Sequence, residues 1–154
     1  MLEADEKGYL ERAFSGKPNN INLVIVLKEN DQPIGNHGLH LGNSKDKVGT
    51  TGTLIGEKAS WGKGYGPEAK MLMLEYAFNT LNVRKIYSFV YGPNARSKRS
   101  NEKCGYKIEA TLPQDTYIDG KYVEKHIYAV YRSDWEPLWE QFIDRNPRPW
   151  HSAS

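Results

Sequence analysis

Gly49-Thr-Thr-Gly-Thr-Leu-Ile-Gly-Glu57, continued by Trp61-Gly-Lys-Gly-Tyr-Gly66 and Pro67-Glu-Ala-Lys-Met-Leu-Met-Leu-Glu-Tyr-Ala-Phe78, is the stretch that decides how this 154-residue chain folds. A β-prone run leads into three alternate glycines, and a proline then opens an apolar helical stretch. The spacing predicts a strand end, a turn and a helix start in succession. Such a turn suits an anion. N–H groups at a helix N-terminus lack intrahelical partners and carry partial positive charge, and glycine removes the Cβ atoms that would keep a phosphate away.

Spacing separates the known phosphate loops. A P-loop needs four residues between its first Gly and Gly-Lys-Ser/Thr; Gly56 and Gly62-Lys63 are separated by five, and Gly64 stands where the hydroxyl belongs. The dinucleotide fingerprint needs Gly or Ala three after its second Gly and an acidic residue further on; those places hold Pro67 and the basic Val83-Arg84-Lys85. What remains is a Gly-x-Gly turn entering a helix, and the plainer reading of Gly62, Gly64 and Gly66 as a tight turn stands beside it.

Upstream, residues 2–15 read as a short helix ending at Gly16. Ile21 to Leu27 forms the best strand, Ile34 to Leu41 returns antiparallel to it, and Val48 to Glu57 is a third strand. Downstream, the helix at 67–80 buries Met71, Leu72, Met73, Leu74, Tyr76, Ala77 and Phe78 and wets Glu68, Glu75 and Asn79. Arg84 to Tyr91 is then a strand parallel to the third, reached by a right-handed crossover. Asn94 to Cys104 is a helix closed by Gly105, and residues 106–113 and 121–131 are two final strands joined near Asp119-Gly120. One domain over 1–135 and a tail over 136–154 follow, the tail with a short helix from Trp135.

Composition narrows the function. A net charge of +2 gives no argument for nucleic acid, and a single cysteine excludes an internal disulfide and fits a reducing, cytoplasmic setting. No apolar run approaches bilayer-spanning length, so no membrane partner is expected. His37 and His40, three apart on a strand, point to opposite faces and cannot share an ion, and no metal is expected.

The turn resembles the acetyl-CoA pyrophosphate loop of the GNAT-type N-acetyltransferase superfamily, Gln/Arg-x-x-Gly-x-Gly/Ala. Gly64-Tyr65-Gly66 fits its end, and Trp61 replaces its Gln/Arg start. Trp61-Gly-Lys-Gly-Tyr-Gly-x-Glu-Ala is the form it takes in the RimJ/RimL-like branch. Asn94-x-x-Ser97 with Glu102-Lys103-x-Gly105-Tyr106 is similar to the superfamily's second motif, and Gly120-Lys-Tyr122 before Ile127-Tyr-Ala-Val-Tyr131 resembles the closing hairpin of RimJ/RimL-like and spermidine N-acetyltransferases. The resemblance covers roughly residues 20–135. It implies an α/β (α+β) fold with a mixed, mostly antiparallel sheet flanked by helices and splayed between the fourth and fifth family strands. The first family strand is without a counterpart, which would expose the edge at 21–27.

The same resemblance implies acetyl-CoA as co-substrate and direct transfer to a primary amine, small or peptidic, in a ternary complex. A homodimer is compatible with it. The alternative is a non-catalytic acyl-CoA-binding module or a truncated, inactive fragment. Family geometry puts the pantetheine arm on the backbone of Leu54, Ile55 and Gly56 and the pyrophosphate on Gly62, Lys63, Gly64, Tyr65 and Gly66. Asn94 and Ser97 would lie near the pantetheine and acetyl group. Many members carry a proton-donating Tyr seven residues after the Asn, a place held here by Asn101, so Ser97 becomes the candidate acid with Tyr106 in reserve. Glu57, acting through water, is the first candidate base, then Asp115, then the imidazole of His126. Plainer roles stand beside these: Asn94 as a helix cap, Ser97 as a hydroxyl bonded to backbone, Glu57 and Asp115 as solvated strand-end carboxylates, Cys104 as packing, and Arg96 to Arg99 as a wet basic face.

Overall fold

The computed structural model describes residues 19–42 and 45–146; the helix expected at 2–15 lies outside the described residues. Three strands come first: β1 (Asn20–Val26), β2 (Pro33–Leu41) and β3 (Val48–Ile55) form an antiparallel meander. Helix α1 (Tyr65–Glu75) follows, and its last turn widens into a π turn over Tyr76–Thr80, where the Leu81 N–H donates to the Tyr76 carbonyl at 3.0 Å. Then come β4 (Lys85–Tyr91), α2 (Ala95–Lys103), β5 (Lys107–Ile118), β6 (Lys121–Tyr131) and α3 (Arg132–Arg145).

The strands make one six-stranded sheet in the order β1-β2-β3-β4-β6-β5. Only β3 and β4 are parallel, as the crossover through α1 requires. Their pairing stops after three positions: Val48, Gly49 and Thr50 lie opposite Lys85, Ile86 and Tyr87. Beyond Thr50 and Tyr87 the two strands diverge, so the sheet consists of two three-stranded wings meeting in a V. The expected splay is therefore present, between the strands the sequence assigned to it. Among the described residues, β1 is the edge of its wing, with Leu23, Val24 and Val26 exposed.

The core lies between α1, α3 and the sheet. Met71, Met73, Leu74, Ala77 and Phe78 of α1 and its π turn meet Ile86, Val90, Tyr128 and Val130 from the strands. Tyr76, expected inside, is exposed, because its side of the widened turn faces away from the sheet. The helix expected from Trp135 begins at Arg132, since Asp134 accepts a hydrogen bond from the Tyr131 N–H at 3.2 Å and caps it. Trp135 and Trp139 stack with centroids 5.4 Å apart and are both buried, so a boundary at residue 135 falls inside a helix that belongs to this core. Strand β5 runs past its expected end at Pro113 to Ile118, resuming its pairing with β6 after an irregularity between Leu112 and Thr116. No helix among the described residues is long and apolar enough to cross a membrane.

Candidate active site

A cleft of about 410 Å³ fills the V. One wall is β3 with the glycine turn, the other is α2, and α1 and β4 close the inner end. Its cationic lining side chains are Lys70, Arg96, Arg99 and Lys103, and no carboxylate lines it among the described residues. An occupant with several negative charges fits such walls.

At the mouth, Gly62 and Gly64 have φ of +75° and +82°, and a Cβ on either would meet no atom within 4 Å. Both positions need a left-handed backbone, which glycine adopts without strain, and no other part of the protein crowds them. The left-handed turn lets Gly64 act as N-cap of α1 with no side chain over the helix end, and the N–H groups of Tyr65 and Gly66 open onto the cleft. Trp61 closes the side of the mouth. Its indole N–H donates to the Ile55 carbonyl at 2.7 Å and the Arg96 guanidinium stacks 3.7 Å from its ring centroid. The residue that replaces the family's Gln/Arg thus fixes a cation in place. Arg96 and Arg99 line the cleft, whereas Lys63 is exposed and outside the lining.

Along β3, hydrogen bonds fix which backbone groups face the gap. The Lys47 carbonyl accepts from the Arg84 N–H on the β4 side at 2.7 Å, and the Val48 carbonyl accepts from the Gly42 N–H on the β2 side at 3.1 Å. Strand alternation then turns the backbone of Thr51, Thr53 and Ile55 to the gap and that of Leu54 to β2. The Gly56 N–H also goes to β2, donating to the Ile34 carbonyl at 3.0 Å. Of the three residues expected along the arm, Ile55 alone lines the cleft; Thr51 and Thr53, which the sequence reading passed over, line it too.

The inner end is a buried polar knot. Lys70, 4% exposed, donates through Nζ to Asn101 Oδ1, and Asn101 Nδ2 donates to Ser88 Oγ at 3.1 Å. Lys70 Nζ also lies 5.1 Å from the Tyr106 ring centroid, and the Tyr106 and Thr51 hydroxyls are 2.7 Å apart. His37 sits behind Thr53, its Nδ1 2.5 Å from the threonine Oγ1. Burial, and then the charge of Lys70, pushes the His37 imidazole down to about 3, so it is neutral. Burial lowers the Lys70 ammonium to about 8, partly countered by Cys104. The Cys104 thiol is itself raised to about 11 by burial, which makes it a packed, protonated side chain.

The remaining candidates fall into place around this cleft. Asn94 caps α2, its Oδ1 accepting from the Ser97 N–H at 3.1 Å, and Ser97 is half-buried and lines the wall. Glu57 is exposed just past β3, and Asp115 on β5 pairs with Lys125 at 3.0 Å; neither lines the cleft. His126 is 2.9 Å from the Thr111 hydroxyl and 3.7 Å from the Glu124 carboxylate. His37 faces inward while His40 is exposed beside Asn20, and among the described residues no three His, Cys, Asp or Glu side chains gather as metal ligands.

Lys70 was absent from the sequence reading, although a signal existed. It lies three and four residues before Met73 and Leu74 and seven before Ala77, on the buried stripe of α1. A lysine on such a stripe is either snorkelling or held by a buried partner.

The sequence pattern of the family described as Acetyltransferase (GNAT) domain matches residues 3–107. Among curated proteins, "Uncharacterized N-acetyltransferase p20" of Bacillus licheniformis is 22% identical over 123 residues, covering 80% of this chain and 67% of the relative. A spermidine N(1)-acetyltransferase of Vibrio cholerae is 34% identical over 70 residues, covering 45% of this chain and 40% of that protein. The match thus spans about two thirds of one relative's length and well under half of the other's. Among solved structures, the V. cholerae spermidine N-acetyltransferase in complex with CoA and spermine superposes with a TM-score of 0.76 at 23% identity, covering 88% of this chain and 79% of that one. A "putative acetyltransferase" from T. thermophilus gives 0.76 at 25% identity, over 94% and 76%.

Proposed function

The chain belongs to the GNAT acetyltransferase family, and on that premise we propose that it moves an acetyl group from acetyl-CoA to a primary amine by direct transfer in a ternary complex. One observation carries this reading. The gap between β3 and β4 opens onto a glycine-turned helix N-terminus flanked by Arg96, Arg99 and Lys103, a shape and charge suited to a diphosphate followed by an extended arm. The pyrophosphate takes the N–H groups of the Gly62–Gly66 turn, with Lys63 adding charge from outside. The pantetheine takes the gap-facing β3 backbone at Thr51 and Thr53 and the Ile55 N–H, in place of a neighbouring strand; the Ile55 carbonyl is already bonded to Trp61. Ser97 contacts the arm, and Asn94 holds Ser97 through the cap it forms. Glu57 receives the amine's proton through water, with Asp115 as the second choice.

Within the family we place the chain in the RimJ/RimL-like branch on the wording of its loop, in a cytoplasmic setting. Polyamines are the first acceptors to try, because relatives matching part of the chain are named for spermidine. The test is calorimetry with CoA and acetyl-CoA, followed by thiol release with a polyamine, an amino sugar and a peptide N-terminus. Binding with micromolar or better affinity and turnover of one amine class is the expected result. A second reading, a non-catalytic acyl-CoA-binding module, draws support from Asn101 standing where the resemblance expects a proton donor. Binding without turnover on any amine would favour it.

A further inference from the structure

We propose that Lys70 is the catalytic acid of this site, an ammonium at the apex of the V that stabilises the departing CoA thiolate and gives it a proton; this rests on the acetyl-transfer reading above. The placement carries it. Thr51 and Ser88 are the first residues of β3 and β4 beyond their last paired positions, and both are buried. Each ends in a hydroxyl tied to the knot: Thr51 to Tyr106, whose ring Lys70 faces, and Ser88 to Asn101, which accepts from Lys70. The lysine is therefore aimed at the point where the gap closes and where an arm entering from the glycine turn ends. It also lines the cleft.

A buried cation without a counter-ion is costly, and such a group is retained where an anion arrives. Among the described residues no carboxylate pairs with Lys70. The titratable groups facing it are His37 from β2, held neutral, Cys104 at the end of α2, held protonated, and Tyr106 before β5, whose phenol burial also keeps protonated. From β3 and β4 it meets only the hydroxyls of Thr51 and Ser88, through Tyr106 and Asn101, and neither titrates. Asn101 orients the ammonium but has no proton to give, and the Ser97 hydroxyl is a far weaker acid than a thiol. An ammonium brought down to about 8 is matched to a thiolate of about 8.5.

The transfer balances as follows. The amine nitrogen attacks the thioester carbon and a C–N bond forms. The C–S bond then breaks and its electron pair goes to sulfur, which takes a proton from Lys70 Nζ. The nitrogen loses its extra proton to the base, and Lys70 recovers one from solvent.

The experiment compares wild type, Lys70→Met, Lys70→Gln and Ser97→Ala in the full chain, measuring the CoA dissociation constant, the ionisation of bound CoA by thiolate ultraviolet absorbance, and thiol release against pH. Methionine conserves volume; glutamine keeps a donor to Asn101 and preserves the knot if methionine does not fold. Expected are CoA affinity at pH 7 within about threefold in both Lys70 variants and a bound thiol that ionises about one pH unit or more lower in wild type than in either of them. Wild-type turnover should decline as pH rises through about 8, and either Lys70 variant should lose turnover by about 100-fold or more along with that decline. Ser97→Ala should lose less than tenfold. Lys70 variants that retain turnover within threefold, or leave the bound thiol's ionisation unchanged, overturn the proposal. A thiol shift that depends on Lys70 without turnover on any amine upholds the ammonium's place and instead removes the amine-transfer reading.

Discussion

The two ends of the cleft are built on opposite principles. The mouth uses main chain and wet cations: Gly62 and Gly64 turn the backbone, the N–H groups of Tyr65 and Gly66 face outward, and Arg96 leans on Trp61 in contact with solvent. The apex uses side chains almost wholly buried at the closed end of the cleft, with Lys70, Asn101, Ser88, Thr51 and Tyr106 satisfying one another. A wet, backbone-made site can be altered without disturbing the core. A buried one cannot, because each polar group there depends on its neighbour.

That contrast can be broken by substitution. The largest effect is expected at the apex: Asn101→Leu leaves the Lys70 ammonium buried without its acceptor and should cost about 3 kcal/mol of unfolding free energy, measured in denaturant. Unchanged stability would show that the groups of the knot do not depend on one another. Next, Gly66→Glu places a carboxylate at the mouth. Gly66 does not need a left-handed backbone, and its Cβ would meet only Ser100 Oγ at 3.9 Å. Acetyl-CoA affinity should fall about 100-fold, or about 2.7 kcal/mol, with the melting temperature preserved.

A third test uses pH. His37 titrates at about 3 in the folded chain against 6.5 unfolded, so between those values the unfolded chain binds a proton that the folded one refuses. Its contribution is complete above pH 6.5 and is lost as pH falls, by about 2 kcal/mol at pH 5. Denaturation at pH 7 and pH 5 should show a steeper loss in wild type than in His37→Gln. The smallest effect belongs to Gly64→Ala, which strains a φ of +82° in open space and should cost about 1 kcal/mol of stability.

The same contrast explains what could be read from the chain. Local patterns were sufficient for the meander, the crossover, the glycine turn and Asn94 with its cap, since each is set by neighbours within a few residues. Of the gap-facing residues Ile55 was anticipated, whereas Leu54 and Gly56 occupy the alternate positions that face β2, and Thr51 and Thr53 were passed over. Facing depends on which way the backbone of Lys47 and Val48 points, and that is fixed by Arg84 and Gly42. Lys70 stayed hidden because its partners lie 31 and 36 positions away, on another helix and beyond it. The extent of α3 was also long-range in origin, resting on Trp135 packed against Phe78 with centroids 5.3 Å apart.

Among the described residues, β3 and β4 stay in register over three positions, at the closed end of the V. A molecule threaded into the space beyond them would act as a seventh, borrowed rung and rivet the two wings. Amide protons on β3 and β4 past Thr50 and Tyr87 should then exchange more slowly in its presence, so that loading the carrier also completes the scaffold that holds it.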